Sequence, residues 1–125
     1  MNLLILQSYL LLVRIDLMMR FRSFESIHEL VRTRRVSAPG LAATIGVESI
    51  CQAIDLACVF YVKPVLCLQR SAAAAILLRR HGWKAQMIVG AQLIPFKSHA
   101  WVEVDGNVVN DKPYMHEIYS VLDRC

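Results

Sequence analysis

A tight-turn signal late in the chain constrains the fold more than any other feature. Asp105-Gly106 lies between the apolar-rich segments 102–104 and 107–109, an arrangement typical of two antiparallel strands joined by a short loop. Upstream, apolar and polar side chains alternate over 85–92, which predicts another strand, and a further strand is expected to start near Ser98. The last third of the chain therefore predicts a small antiparallel sheet, with the tail folding back on the core.

The preceding segments carry helical patterns instead. Helix formers occupy 3–19, a second short helix is expected from residue 23 or 25 to 32, and apolar residues recur on one helix face over 47–61. A fourth helix is expected over 67–81, with Gly82 as its C-terminal cap. Helices followed by an antiparallel sheet predict an α+β domain.

The size of the chain fits one compact domain, because 125 residues can form one modest hydrophobic core. Ser37-Ala38-Pro39-Gly40 marks a break, so we expect residues 1–36 to form a helical lead-in packed on a core of residues 37–125. With 56% hydrophobic and 19% charged residues, the composition is that of a packed protein with room for a partner surface. The net charge of +4 is spread along the chain, and no group of aromatic and basic residues suited to bases and phosphates accompanies it. Nucleic acid is therefore not expected as a binding partner.

The apolar N-terminal segment, 3–13, is too short to cross a membrane. No basic residue precedes it and no small-residue cleavage site follows it, so the pattern is not that of a secretory signal. We expect a helix that packs on the domain, with docking on a partner protein or a membrane surface as the alternative.

The four cysteines lack a CxxC pair and do not resemble a disulfide scaffold, which fits a reducing cytoplasm best. Neither they nor the four histidines have the paired spacing of a structural zinc site, so no metal and no cofactor is predicted. Cys51 and Cys58 lie on an apolar helix face and are interpreted as core residues, and Cys125 is interpreted as a flexible exposed thiol.

Cys67 is the candidate nucleophile. It opens a predicted helix three residues after Pro64, where unpaired backbone N–H groups and the positive end of the helix dipole favour a thiolate. The same N–H groups can hold the oxyanion of an acyl-transfer intermediate. An inert core cysteine is the alternative.

His99 is the candidate base, because it is the only histidine in a predicted strand. If Val104-Asp105-Gly106 forms a three-residue loop, His99 lies directly opposite Asp111, whose carboxylate can then orient the imidazole. A two-residue turn would instead place the two side chains on opposite faces. The sequence leaves both registers open, and a triad requires the odd-length loop or a bulge.

Other polar and aromatic residues near these positions receive structural interpretations. Glu103 and Asp105 are interpreted as solvated or turn residues, and Trp101 either shields the site or fills the core. Residues 79–81 lie in the last turn of the fourth predicted helix, where their positive charge complements the helix dipole and faces water.

Several short segments have a recognisable order and spacing: Cys67-Leu68-Gln69-Arg70-Ser71, Arg79-Arg80-His81-Gly82, Val89-Gly90, Pro95-Phe96, His99-Ala100-Trp101-Val102-Glu103-Val104-Asp105-Gly106 and Val109-Asn110-Asp111. Over roughly residues 37–111 they resemble the lasso-peptide biosynthesis B proteins. The resemblance implies a transglutaminase-like, papain-like fold in which Cys67, His99 and Asp111 form the catalytic triad of a leader peptidase.

Proteins of that family remove the leader from a ribosomally made precursor peptide, so that a partner macrolactam cyclase can close a ring on the freed amine. The chain resembles the stand-alone form, which lacks its own leader-binding module and works with a separate leader-recognition protein. One alternative is a transglutaminase-like acyl transferase, which would pass the same thioester to an amine. The other is a non-catalytic docking subunit of the maturation complex, whose apolar N-terminal helix contacts a cyclase, an exporter or a membrane.

Overall fold

The computed structural model describes residues 2–36 and 45–125 of the chain. The described residues form α1 (Asn2–Phe21), α2 (Phe24–Thr33), α3 (Val47–Phe60), α4 (Cys67–Arg80), β1 (Ala85–Leu93), β2 (Phe96–Val104), β3 (Asn107–Val108), α5 (Met115–Ile118) and β4 (Ser120–Arg124). Helices precede an antiparallel sheet, which confirms the predicted α+β class. The break predicted at residues 37–40 lies outside the described residues.

The four strands form one sheet in the order β3-β2-β1-β4. β1 and β2 are antiparallel, in a register that pairs Ala85 with Val104 and Gly90 with His99. β4 adds to the other edge of β1, also antiparallel, with an irregularity between Val89 and Gly90. The tail therefore does fold back on the core, and it does so as an additional strand.

The helix that Cys67 opens, α4, lies at the centre of the molecule. Residues 72–78 are completely buried, and the helix contacts α1 and α3 as well as β1 and β2. Its four consecutive alanines, 72–75, combine the highest helix propensity with the small size that lets neighbouring elements approach closely. Packing against these elements and against α2 fixes the place of α4, and with it the position of its first residue.

The apolar helix α1 packs on α3 and α4 through Leu11, Leu12 and Ile15, all of which are buried. Its opposite side exposes large apolar side chains, namely Leu3, Leu6, Leu10, Leu17 and Phe21. Of the helices that the structure describes, none has the length and apolar character needed to cross a membrane.

The two faces of β2 differ in character. One face carries apolar side chains that enter the main core with α4, namely Ala100, Val102 and Val104. Because side chains alternate along a strand, His99, Trp101 and Glu103 lie on the other face. There Trp101 packs with Ile88 and Met115 in a second, smaller cluster. The candidate base therefore lies on the face that α4 does not cover.

The expectation that Arg79 faces water is wrong. Its side chain is buried and donates to four backbone carbonyls, those of Val31, Arg34, Ala85 and Cys125. A planar guanidinium with five N–H donors suits such a set of acceptors. Arg79 thus fastens α2 and the last residue to the end of α4, whereas Arg80 and His81 remain partly exposed.

Candidate active site

His99 and Asp111 form a short hydrogen bond at the edge of β2. Nε2 of His99 lies 2.5 Å from Oδ2 of Asp111, and the two side chains are 22% and 16% exposed. The pair is therefore mostly shielded but still reachable from solvent. Because Asp111 occupies Nε2, Nδ1 is the ring nitrogen left for a reaction partner, and it has no hydrogen-bond partner within the described parts of the chain.

The turn that leads to Asp111 has two residues, so of the two registers that the sequence left open, the one with the two-residue turn is present. Asp105-Gly106 has positive φ at both positions, 53° and 78°, as a type I′ turn requires. This confirms Asp105 as a turn residue. Continued without change, the register of β2 and β3 would place Asp111 opposite Ala100, on the face away from the imidazole.

The chain leaves the regular ladder just before Asp111, and this departure brings the acid to the imidazole. The N–H of Val109 still donates to the carbonyl of Val102 at 3.0 Å. The N–H of Val102, however, donates to the side-chain oxygen of Asn110 at 2.7 Å. A side chain thus replaces a backbone acceptor, and the break has the same effect as an odd-length loop.

Asn110 also joins this edge of the sheet to α4, a role that no pattern in the sequence indicates. Its Nδ2 donates to Oγ of Ser71 at 3.1 Å, and its carbonyl accepts from Arg70 at 3.1 Å. Ser71 in turn donates to the carbonyl of Ala100 at 3.0 Å. The one signal for Asn110 in the sequence is its position directly before Asp111.

Side chains hold the start of α4, where Cys67 lies. Oε1 of Gln69 accepts the N–H of Leu66 at 2.9 Å, and Nε2 of Gln69 donates to Asp16 of α1 at 3.2 Å. Lys63 lies 2.7 Å from Asp16, and its hydrogen bond is the main reason that the pKa of Asp16 is below its ordinary value. The apolar N-terminal helix therefore supports the helix end that carries the candidate nucleophile.

Cys67 is half-buried and lies one helical turn from a contact with the strand of His99. Ser71 follows Cys67 by four residues, so the two side chains share a face of α4. Ser71 contacts the carbonyl of Ala100, the neighbour of His99. Among the residues that the structure describes, the thiol makes no hydrogen bond with His99 or Asp111. The structure thus joins the imidazole directly to the acid, and Ser71 connects the first half of α4 to the strand that carries His99.

Arg70 adds positive charge beside Asp111. Its Nη2 is 3.7 Å from Asp111, and its Nη1 is 3.7 Å from Asp55. Burial raises the pKa of Asp111, but hydrogen bonds from His99 and from the N–H of Lys112, together with the charge of Arg70, outweigh burial and lower this pKa below its ordinary value. Asp111 is therefore ionised at neutral pH and able to orient the imidazole.

Two aromatic rings pack against the imidazole of His99. The ring of Tyr119 lies 5.3 Å away at 26°, and that of Trp101 lies 6.2 Å away at 28°. Trp101 is completely buried, so it fills the second core and also borders His99. A β-carbon at Gly90 would lie 2.8 Å from the indole and 2.9 Å from Cβ of Tyr119. Glycine at this position therefore makes room for the rings that flank the imidazole.

The expectation that Glu103 is solvated is wrong. The residue is 2% exposed and accepts the indole N–H of Trp101 at 2.9 Å. Arg124 lies 3.1 Å from one carboxylate oxygen and His116 lies 2.5 Å from the other. Burial raises the pKa of Glu103, but these partners together hold it below the ordinary value. The C-terminal segment supplies two of the partners, and its placement could not be deduced from local sequence patterns.

Within the described residues, the remaining cysteines make no hydrogen bond with His99 or Asp111. Cys51 is buried as predicted, and burial raises the pKa of its thiol to about 11. Cys58 packs at the margin of the same core. Cys125 is half-buried rather than exposed, because β4 carries it onto the sheet, where its N–H donates to the carbonyl of Met87.

Comparison with known proteins assigns the family. A model of the transglutaminase-like superfamily matches residues 11–124, so the chain belongs to that superfamily. It is also similar to the microcin J25-processing protein McjB of Escherichia coli, with 41% identity over 56 residues, which are 45% of this chain and 27% of McjB. The chain thus matches only about a quarter of the length of that relative, and the match confirms the resemblance predicted from the motifs. No solved structure matches.

Proposed function

We propose that the protein is a cysteine peptidase that removes the leader from a ribosomally synthesised lasso precursor peptide. Cys67 is the nucleophile, His99 the base and Asp111 the group that orients the base. The short hydrogen bond between His99 and Asp111, beside the helix start that bears a thiol, is the observation that carries this proposal. Similarity to a protein that processes microcin J25 supports a precursor peptide as the substrate.

In the first half of the reaction, Cys67 transfers its thiol proton to Nδ1 of His99 and attacks the carbonyl carbon between leader and core. Backbone N–H groups in the first turn of α4 have no acceptor within the helix and stabilise the developing oxyanion. The imidazolium then protonates the departing amine, which becomes the free N-terminus of the core peptide. The leader remains bound to sulfur as a thioester.

In the second half, water loses a proton to His99 and attacks the thioester. The leader leaves as a carboxylic acid, and the thiol of Cys67 recovers its proton. Asp111 stays ionised throughout, because its pKa is lowered. Its role is to hold Nε2, which leaves Nδ1 to accept the thiol proton, and to stabilise the imidazolium.

A groove beside the start of α4 supports a peptide substrate. Its volume is about 340 Å³. It is lined by Asp16, Met19, Arg20, Lys63, Pro64, Leu66 and Gln69. This mixed apolar and charged lining, which includes the residue before Cys67, suits an extended peptide with varied side chains better than a small apolar ligand.

Mass spectrometry of the reaction products tests the proposal. The protein is mixed with a lasso precursor and its leader-recognition protein, and free leader and core are followed over time. We expect Cys67→Ala to abolish cleavage and Cys58→Ala, which changes a cysteine at the margin of the α3 core, to retain it. Undiminished cleavage by Cys67→Ala would refute the assignment. A leader joined to an added amine, instead of a leader acid, would indicate the acyl transferase.

The proposed partners are the precursor peptide, a separate leader-recognition protein and a macrolactam cyclase. The exposed apolar side of α1 supports protein contacts of this kind, because contiguous exposed apolar surface is typical of interaction sites. The double variant Leu10→Glu and Leu17→Glu should weaken co-elution with the recognition protein or the cyclase while the thermal midpoint stays unchanged. If Cys67→Ala preserved ring formation in the full complex, the docking subunit would be the better description.

A further inference from the structure

A second group of potentially metal-binding side chains lies apart from the candidate active site. His28 comes from α2, Asp123 from β4, and Cys125 directly follows β4. One ligand atom of each residue lies within 4.8 Å of those of the other two. Nδ1 of His28 is 3.3 Å from Oδ2 of Asp123. Nothing in the proposed peptidase reaction uses these three side chains.

The architecture explains why they meet. Asp123 and Cys125 are two residues apart on an extended segment, so their side chains point to the same face. Asp123 pairs with Val89, which packs against the main core. The N–H of Cys125 donates to the carbonyl of Met87 at 2.9 Å, and Arg79 holds the carbonyl of Cys125. The thiol is therefore fixed in place on the core side of the sheet, opposite to the face of the candidate base.

We propose that His28, Asp123 and Cys125 bind a Zn²⁺ ion, with water as the fourth ligand. Imidazole nitrogen, carboxylate oxygen and thiolate sulfur are the donor types that zinc takes in proteins, in tetrahedral arrangement. Bond lengths of about 2.0–2.3 Å place tetrahedral ligand atoms roughly 3–4 Å apart, so small side-chain rotations suffice here. A sulfur donor disfavours magnesium and calcium, which prefer oxygen ligands. On binding, the thiol proton of Cys125 is released to solvent.

The surroundings leave the required atoms free. Oδ1 of Asp123 accepts the N–H of Arg124 at 2.9 Å, which leaves Oδ2 for the ion. The imidazole of His28 is 14% exposed, and its Nδ1, which faces Asp123, has no other polar partner in the described parts of the chain. Arg32 lies 3.9 Å from Asp123, but its side chain is 56% exposed and can turn to water. Arg79, the other nearby cation, is engaged with backbone carbonyls.

Such an ion would join α2 to the strand at the edge of the sheet. The strand follows directly on Tyr119, whose ring packs against His99. The ion therefore stabilises the last part of the chain and takes no step in peptide cleavage. Failure of the zinc proposal would leave the peptidase proposal untouched, and the reverse also holds.

Cobalt titration of the full chain, purified free of metal, tests the proposal. Co²⁺ is the probe, because thiolate ligation gives it an intense charge-transfer absorption in the near ultraviolet. We expect this absorption to saturate at one Co²⁺ per chain and to disappear when Zn²⁺ is added. Cys125→Ser should abolish it, and the matched variant Cys58→Ser should retain it. His28→Gln should weaken Zn²⁺ binding at least about 10-fold in competition with a chromophoric chelator.

A second measurement on the unmodified protein covers the case in which a variant fails to fold. Zn²⁺ should slow alkylation of Cys125 by iodoacetamide and raise the thermal midpoint. It should leave alkylation of Cys58 unchanged. The proposal is overturned if the unmodified protein shows no thiolate band with Co²⁺, if Cys125→Ser retains that band, or if Zn²⁺ gives Cys125 no protection.

Discussion

The two faces of β2 belong to one strand but are stabilised in different ways. Toward α4 the strand presents Ala100 and Val102, which are buried among other apolar groups. On the other face, His99, Trp101 and Glu103 bring polar atoms into partly or fully buried positions, where each finds a partner. Side-chain alternation along β2 therefore places apolar packing residues on one face and the candidate base with its polar neighbours on the other. Substitutions on the α4 face should change stability alone, and those on the other face should also change activity.

Removal of Asp111 should have the largest effect on that polar face. We expect Asp111→Ala to lower the rate of leader release by about 100-fold to 10,000-fold, because the imidazole loses both its orientation and the charge that stabilises its protonated form. Asp55→Ala is the matched control, since Asp55 also lies 3.7 Å from Arg70, whereas the hydrogen bond of His99 is made with Asp111. Equal cleavage rates for the two variants would contradict the assigned role of Asp111.

A methyl group at Gly90 should disturb the rings around His99. We expect Gly90→Ala to lower the free energy of unfolding by about 1–3 kcal/mol, because its β-carbon would lie under 3 Å from Trp101 and Tyr119. Leader release should fall as well. Urea unfolding gives the first quantity, and Gly46→Ala is the control, since a β-carbon there meets nothing within 4 Å. Equal free energies of unfolding for the two variants would show that Trp101 and Tyr119 can shift to accept the methyl group at little cost.

A pH series separates the two faces further. Glu103→Gln removes the buried carboxylate that pairs with Arg124 and His116. It should lower the free energy of unfolding by about 1–3 kcal/mol near neutral pH. Val102→Ala, the neighbouring residue on the α4 face, should cost about as much through lost burial. The folded-state pKa of Glu103 is lowered, so its charge stabilises the fold above the unfolded pKa of about 4.3 and this contribution is lost as pH falls.

The loss in free energy of unfolding caused by Glu103→Gln should therefore become smaller as the pH falls. The loss caused by Val102→Ala should stay constant. Urea unfolding at several pH values between neutral and acidic gives both losses in free energy of unfolding. If the loss caused by Glu103→Gln does not change with pH, the ion pairs of Glu103 contribute little to stability.

The support of α4 by α1 should give the smallest effect. Asp16→Ala removes the partner of Gln69 and Lys63 at the start of the helix. We expect a loss of about 1 kcal/mol in the free energy of unfolding and a modest fall in leader release. Glu25→Ala, in α2, is the control. Together with the contacts of α1, such a result would support our proposal that residues 1–36 and 37–125 form one compact domain.

Local signals predict most of the fold. Asp105-Gly106 requires a tight turn because both positions adopt positive φ, and the alanine run of α4 has high helix propensity whatever surrounds it. Helix starts and strand alternation depend on neighbours in sequence, which is why the expected elements agree with the observed ones to within a few residues. β4 lacks such a signal, since five residues with little burial become a strand only where β1 offers a free edge.

The details of the candidate site depend on distant contacts instead. The turn predicted by Asp105-Gly106 would by itself separate His99 from Asp111, and Asn110 reverses that outcome by accepting from the N–H of Val102. Glu103 is buried because α5 and β4 supply its partners. No periodicity within one segment indicates such contacts, so residue types identified the candidates and the fold decided their geometry.

The central claim is that His99 acts as the base for the thiol of Cys67 at the start of α4. Alkylation by iodoacetamide at neutral pH, followed residue by residue with mass spectrometry of tryptic peptides, tests it without any precursor. We predict that Cys67 of the unmodified protein reacts readily, and that His99→Ala slows this reaction at least about 10-fold whereas His81→Gln, at the far end of α4, leaves it unchanged. An unreactive Cys67, or equal rates with and without the imidazole, would contradict the account.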